Sequence, residues 1–503
     1  MAVGMSAAVL LTTACTLDGT NEESGSAPTL NIGFQFQPNS LDPAKINRAY
    51  AWYVNLAYDS LIYWAPDGSL QPRLATSWNY AGSDNRIFEM KLRPNVTFSD
   101  GSTLTADTVK ANIDHFRAAG TVTSPFLAAV ASVEVVDPST VRLNLSKPNP
   151  ELPRILTQHY LAGSVISGEA LKNPEQLATM TAGAGAYVLD PSATVANDHY
   201  TYKPNPRYWD EANIHYDKVV IKVLPNQNTA LSAMKTGQID ILQGVIDTAA
   251  AAKSAGFQVV YSPQVFQGLA LADRGGEVLR PLGDVRVRQA LNYAVDRVKI
   301  TKGLFGEYGL PTEQIVLPGV DGYNDATVYP YDPQKAKQLL ADAGYPAGFT
   351  LPVPTTSVNV KIAQAIADDL AAVGVRMEIK NSDNANNYFT DIASKKFPAY
   401  AINNGSETMY LKGPLLFLPE GAQFNPFRSS DGEISRLYDE SATADASTRV
   451  EIDKKIVARL RDQAWFVPVS FVPVFFFARP TVAGVQSTPN LPTPCPNEWR
   501  PQP

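Results

Sequence analysis

Two hydrophobic periods alternate along this chain, and that alternation limits its fold more than any other feature. Residues 30–36 (LNIGFQF) and 87–98 (IFEMKLRPNVTF) alternate apolar with polar, the period of a half-buried strand. VEVVDPSTVRLNL (133–145) has this period on both sides of DPST and predicts a hairpin, and HYDKVVIKVLP (215–225) predicts a further strand. Between them the period becomes helical. Thr105 is placed to cap a helix carrying Val109, Ile113 and Phe116 on one face. TALSAMKTGQIDI (229–241) reads as a short helix closing near Gly237, then a strand. In RVRQALNYAVDRVKI (286–300), Val287, Ala290, Leu291, Ala294, Val295 and Val298 share one helix face. Asp332-Pro333 opens another helix, with Gly344 past its end. Helices at 361–374 and 450–464 follow, the first leading into the strand VRMEI and the second into the apolar strand run FVPVSFVPVFFF (466–477). Strands and helices interleave to the end, which predicts a mixed α/β protein with several lobes. A length of 503 residues allows roughly three domains. The Pro-rich tail from Thr488 is expected to pack loosely.

The net charge of −7 argues against nucleic acid, whose phosphates need a basic face. Two cysteines, Cys15 and Cys495, lie at opposite ends of the chain and predict no disulfide. His115, His159, His199 and His215 lack metal-ligand spacing and none falls in a stretch expected to line a cleft, so no metal and no cofactor is expected. No stretch after residue 20 is apolar enough to span a membrane.

Residues 2–14 (AVGMSAAVLLTTA) form an uncharged apolar segment, too short for a bilayer span and suited to the core of an export signal. Cys15 follows directly on Ala14, then a polar Gly/Ser/Glu stretch. This resembles a bacterial lipoprotein signal, in which the cysteine is lipidated after cleavage. Thr12 stands where that motif has Leu, and no Lys or Arg precedes the apolar run. The expectation is a signal over 1–15, lipidation at Cys15 and a flexible tether over 16–29.

Seven further segments, in order, resemble the extracellular solute-binding proteins of ABC importers that take oligopeptides, dipeptides or nickel (family 5). They are PRLATSW (72–78), KLRPNVTFSDGSTLTADTVK (91–110), GAGAYVL (183–189), NPRYWD (205–210), GQID (237–240), DVRVRQALNYAVDRVKI (284–300) and YDPQKAKQLLADAGY (331–345). The resemblance implies a hinged, two-lobed α/β fold of the periplasmic-binding type with a small inserted domain. Carried over, lobe I spans 30–76, 185–285 and 468–503, the inserted domain 77–184 and lobe II 286–467. It also implies a monomer that closes on a solute and delivers it to a membrane permease with its ATPase.

Peptide-binding members carry an acidic motif, roughly W-x-A-D-Y-P-D-P, whose aspartate holds the peptide's α-ammonium. The matching stretch is PAYAINNGSETMYLKGP (398–414), with Asn403, Asn404 or Gly405 at the aspartate position. Glu407 is the only acid nearby and can substitute if the loop bends; Asn404, Ser406 and Tyr410 suit a neutral, hydroxylated or amide-rich ligand. The same fold relationship places Gln37, Asn39, Tyr50, Trp52, Phe266, Gln267, Arg274 and Asn425 as candidate ligand contacts. Arg274 is suited to a carboxylate. An oligopeptide or peptide-like solute is expected. The alternative is a non-peptide solute such as an oligosaccharide, an opine or an aromatic compound. An inward-facing carboxylate at 404–407 favours the former and an uncharged cleft the latter.

A serine-hydrolase reading rests on Ser232 and Lys235 (S-x-x-K), Lys235-Thr236-Gly237 (K-T-G) and SDN at 83–85 and 382–384. One lysine would have to serve two motifs, so the segment reads as a helix closing on a glycine, and no enzyme is expected.

Overall fold

The computed structural model describes residues 28–502 apart from 122, 383, 406, 421–422 and 490–493. The expected signal, Cys15, the tether up to residue 27 and Ser406 lie outside the described residues. No helix among the described residues is long and apolar enough to cross a membrane.

A nine-stranded mixed sheet organises the molecule. Strand Thr29–Phe34 runs parallel to Lys218–Val223 on one side and to Ile241–Gly244 on the other. His199–Pro204 and Tyr187–Leu189 extend that end. Two long antiparallel strands, Gln258–Leu271 and Phe466–Ala478, then carry the sheet across the molecule to Ala399–Asn404. Their register shifts between Pro263 and Val265 and again between Gln267 and Gly268. Pro263 faces Pro473 there. Neither proline has an N–H to give, so the ladder is weakest where the bulges re-aim it.

Both faces of Phe466–Ala478 and of the second half of Gln258–Leu271 are covered, which explains the nearly unbroken apolar sequence of the former. Alternate residues enter different cores. Leu269, Leu271, Val467 and Val469 pack with Val287, Leu291, Ile366 and Val375. Phe266, Ala270, Phe466 and Phe471 face the larger core, which holds Phe34, Trp52 and Tyr400. The second half of Gln258–Leu271, within the segment expected to belong to lobe I, thus pairs with Ala399–Asn404 and helps fill the second core.

A separate four-stranded antiparallel sheet joins Ala75–Tyr80, Ile87–Leu92, Thr140–Leu145 and Val130–Asp137. The predicted hairpin is its last pair. Helix Ala106–Ala118 covers it, capped by the Thr105 side chain and burying Val109, Ile113 and Phe116. This body touches the far lobe. Tyr410 Oη donates to Pro148 O at 2.5 Å and Asn85 Nδ2 to Ala442 O at 3.0 Å. Arg449 lies 3.6 Å from Glu151, and Arg154 3.7 Å from Asp321.

Two expectations are corrected. The 286–300 segment is two helices, Val285–Tyr293 and Arg297–Phe305. Asp296 breaks it: its side chain accepts from Lys299 N at 2.9 Å and caps the second helix. The turn rotates Val298 out of the shared face, leaving it 64% exposed. The tail is anchored rather than loose. Trp499 is buried with its ring 5.3 Å from that of Trp52, and Asn497 Nδ2 donates to Asn55 O at 2.9 Å. Burying an indole outweighs the weak local order of a Pro-rich segment, at roughly 1.5–3 kcal/mol for a large apolar side chain.

The crossing strands yield a paired prediction. A Cβ on Gly268 would stand 2.1 Å from Val467 O, a backbone atom with no room to retreat. Gly268→Ala should lower the unfolding free energy by about 1–3 kcal/mol. Gly303, inside helix Arg297–Phe305, has nothing within 4 Å of its Cβ position, so Gly303→Ala should raise it by about 0.5–1 kcal/mol. Urea midpoints of the two variants against the parent check both signs.

Candidate functional site

The chemistry gathers where the two bodies meet. On the first side, the single turn Arg48–Tyr50 is capped by Asn47, whose Oδ1 accepts from Ala49 N at 3.0 Å. Tyr160 and His159 lie on a buried segment that Gln158 pins to strand Ile62–Trp64. Trp64 N donates to Gln158 Oε1 at 3.0 Å, and Gln158 Nε2 to Trp64 O at 2.8 Å. On the second side, strand Ala399–Asn404 ends beside the crossing strand, with Asn404 opposite Phe266. The chain then turns through Glu407 into the short helix Met409–Lys412.

Glu407 points inward and is 5% exposed. Its Oε1 accepts from Arg48 Nη2 at 2.5 Å, and its Oε2 accepts from the Tyr160 hydroxyl. Burial alone would raise its pKa. Arg48, the neighbouring His159 and the two hydrogen bonds outweigh that and hold it at about 2. The Arg48 guanidinium lies over the rings of Tyr160 and Phe126, at 5.0 and 5.7 Å. Tyr160 stacks in turn on Trp64 at 6.3 Å. Burial, aided by Arg48, lowers His159 to about 3, so the imidazole is neutral at ordinary pH.

Lys412 is fully buried. Its Nζ donates to Asn404 Oδ1 at 2.9 Å and to Gly405 O at 2.7 Å, both neutral oxygens. It also stands 5.6 Å from the Phe266 ring. Burial pulls it down to about 8, with Arg48 adding to the fall and Glu407 opposing it. The cluster therefore holds two cations, Arg48 and Lys412, against one carboxylate. Buried polar atoms without a hydrogen-bond partner among the described residues include Arg48 Nη1, His159 Nδ1 and Thr408 Oγ1. Such atoms cost free energy unless something pairs with them.

The described candidates from sequence divide into four groups. Glu407, Asn404 and Phe266 belong to this cluster. Gln267 lies next to Phe266 and donates to Asn359 Oδ1 at 3.1 Å, and Tyr410 stacks on Tyr438 at 5.0 Å. Tyr50 packs edge-on against Phe34, Trp52 is enclosed by Phe34, Phe476 and Trp499, and Gln37 and Asn39 are exposed. Asn39 instead closes a turn, accepting from Asn47 N and donating to Lys45 O. Arg274 and Asn425 meet each other just past the end of the crossing strand, with Nη1 donating to Oδ1 at 3.1 Å. Only one ring separates Arg274 from Phe266: its guanidinium lies 5.8 Å from the Phe466 ring, which stands 6.3 Å from that of Phe266. Arg274 lies 3.9 Å over the Trp465 ring.

Sequence reasoning missed Arg48, Tyr160, Lys412 and the placement of His159. His159 sits within the cleft cluster, contrary to the expectation for all four histidines. Lys412 alone carried a usable signal, as the only cation in the 398–414 stretch. Ser232, from the hydrolase motif, is exposed on helix Gln227–Lys235 and its Oγ donates to Asn228 O at 2.9 Å.

Residues 69–416 match the profile of the bacterial extracellular solute-binding proteins, family 5 Middle. The glutathione-binding protein GsiB of Salmonella typhimurium is 28% identical over 361 residues, covering 70% of this chain and 69% of the relative. The structure of AgaA of A. tumefaciens R10 in complex with agropinic acid superimposes with a TM-score of 0.76 at 25% identity, covering 94% of this chain and 99% of that one. The ABC transporter substrate-binding protein CtaP of Listeria monocytogenes gives 0.81 at 21% identity, covering 95% and 100%.

The ion pair gives a pH-dependent prediction. The carboxylate's folded pKa is depressed from the ordinary 4.5 to about 2, so its contribution is complete above pH 4.5 and is lost as pH falls through 2. Glu407→Gln should cost about 1–3 kcal/mol at pH 7, because Arg48 loses its partner. Chemical denaturation of parent and variant from pH 7 down to 3 should show the gap narrowing below pH 4.5.

Proposed function

We propose that this chain, which belongs to the bacterial extracellular solute-binding proteins of family 5, captures a small peptide-like solute carrying net negative charge. The family's members are the solute-binding components of ABC importers and work with a permease and an ATPase, and this chain is one of them. The anionic preference rests on one observation: Lys412 is buried among neutral oxygens while Arg48 already neutralises Glu407. Binding a carboxylate beside Lys412 would repay part of its desolvation and bring the cluster toward neutrality. The likeness to a glutathione-binding protein supports the peptide-like class.

In this reading the bulged, proline-faced stretch of the crossing strands is the pivot, and closure brings Glu407 and Lys412 onto Arg48 and Tyr160. The receptor acts as a monomer, and a lipid on Cys15 holds it at the membrane through the 16–29 tether.

A second reading, a non-peptide carboxylic acid, draws support from the Arg48–Glu407 pair, which leaves no free carboxylate for an amine, and from the likeness to AgaA with agropinic acid. Native mass spectrometry of the purified protein separates the two: a set of peptide masses favours the first and a single non-peptide mass the second.

Calorimetric titration tests the charge preference. Acidic peptides should bind at least tenfold tighter than neutral or basic ones of equal length, and basic peptides binding as well as acidic ones would overturn the reading. Lys412→Met should weaken acidic ligands by about 10- to 100-fold, the worth of a charge-assisted hydrogen bond. Since free Lys412 titrates at about 8 and a bound anion raises that value, binding takes up a proton. Affinity should therefore fall as pH rises above 8 in the parent, and the fall should vanish in Lys412→Met.

A further inference from the structure

Arg48 and Glu407 are 359 residues apart in the chain and come from opposite sides of the cleft. Glu407 is nevertheless saturated from within the protein. One oxygen takes Arg48 Nη2, and the other takes the Tyr160 hydroxyl. A solute's ammonium group, the ordinary partner for an inward-facing carboxylate in a binding cleft, would have to expel a guanidinium that is held three ways: by this ion pair, by the face of Tyr160 and by Phe126. An ammonium is a more strongly hydrated point charge than a guanidinium and lacks its planar fork, so it gains less from the exchange. Arg48 Nη1 remains buried without a hydrogen-bond partner among the described residues and offers a donor to an acceptor on the solute.

We infer that Arg48 is a specificity-determining residue. It fills the place at Glu407 where a solute's free amine would bind, so the receptor discriminates against amine-bearing solutes and favours those whose corresponding end is blocked or anionic. The inference deepens the reading given above, since it assumes that solutes enter at this cluster.

The test uses one diacidic dipeptide in two forms, with a free amino terminus and N-acetylated, titrated into the whole protein and into Arg48→Ala. Arg48→Met, which keeps the contacts with Tyr160 and Phe126, replaces it if the alanine variant does not fold. The parent should bind the acetylated form at least as tightly as the free amine. Removing the guanidinium frees a buried carboxylate, so the variant should improve the free amine relative to the acetylated form by tenfold or more. Adding Glu407→Gln should abolish that gain.

If the parent binds neither form but the Arg48 variant binds the free amine selectively, the inference holds and the acidic peptide-like ligand class falls. If the parent binds the acetylated form and the Arg48 variant shows no shift toward the amine, the ligand class stands and the inference falls. A parent that prefers the free amine by tenfold also overturns it, as does a variant that gains no amine selectivity when neither form binds the parent.

Discussion

The backbone ladder between Gln258–Leu271 and Phe466–Ala478 is the constraint from which the rest of this architecture follows. It is one continuous pairing whose alternate residues enter two different cores. On one side it is fixed by Ile241–Gly244, on the other by Ala399–Asn404. The facing prolines and the adjacent bulges remove donors and disturb the register at one place in that ladder. Close packing elsewhere makes any motion collective, since a packed core does not deform continuously.

That geometry decides what can meet. Asn404 is paired with Phe266 by the ladder, so the turn that follows, with Glu407 and Lys412, emerges beside the crossing point. Arg48 and Tyr160 are delivered from the other body by a capped turn and by a buried segment clasped to Trp64 through Gln158. The result is a small set of charges taken out of water together. Glu407 is held strongly ionised by its donors, whereas Lys412 has only amide oxygens and loses part of its basicity to burial. A site built this way holds two cations, Arg48 and Lys412, around the single carboxylate of Glu407.

Much of the fold was legible beforehand. The interleaved periods predicted the α/β class, and Thr105, Val109, Ile113 and Phe116 form the capped, half-buried helix that their spacing predicted. The break at Asp296 was not legible from hydrophobic spacing, because a side chain that caps the next helix competes with a face that runs straight through it. Trp499 was misjudged for a related reason: proline content describes local order, while an indole's place is set by what lies across from it, here Trp52. Glu407 was picked out as the only acid of its stretch, but its partners were not, because Arg48 and Tyr160 share no pattern with it along the chain.

The sequence by itself determined the periods, the caps and the ordered motifs, and through them the class of the fold and the family. These are local properties, set by spacing of a few residues and by side-chain chemistry. Only the tertiary structure decided which charges meet: Arg48 reaches Glu407 across 359 residues of chain, and Arg274, as suited to a carboxylate on paper, lies over Trp465 and pairs with Asn425. The physical reason is that electrostatic partnership depends on distance and burial in three dimensions, and both are fixed by how segments distant in the chain are packed against each other.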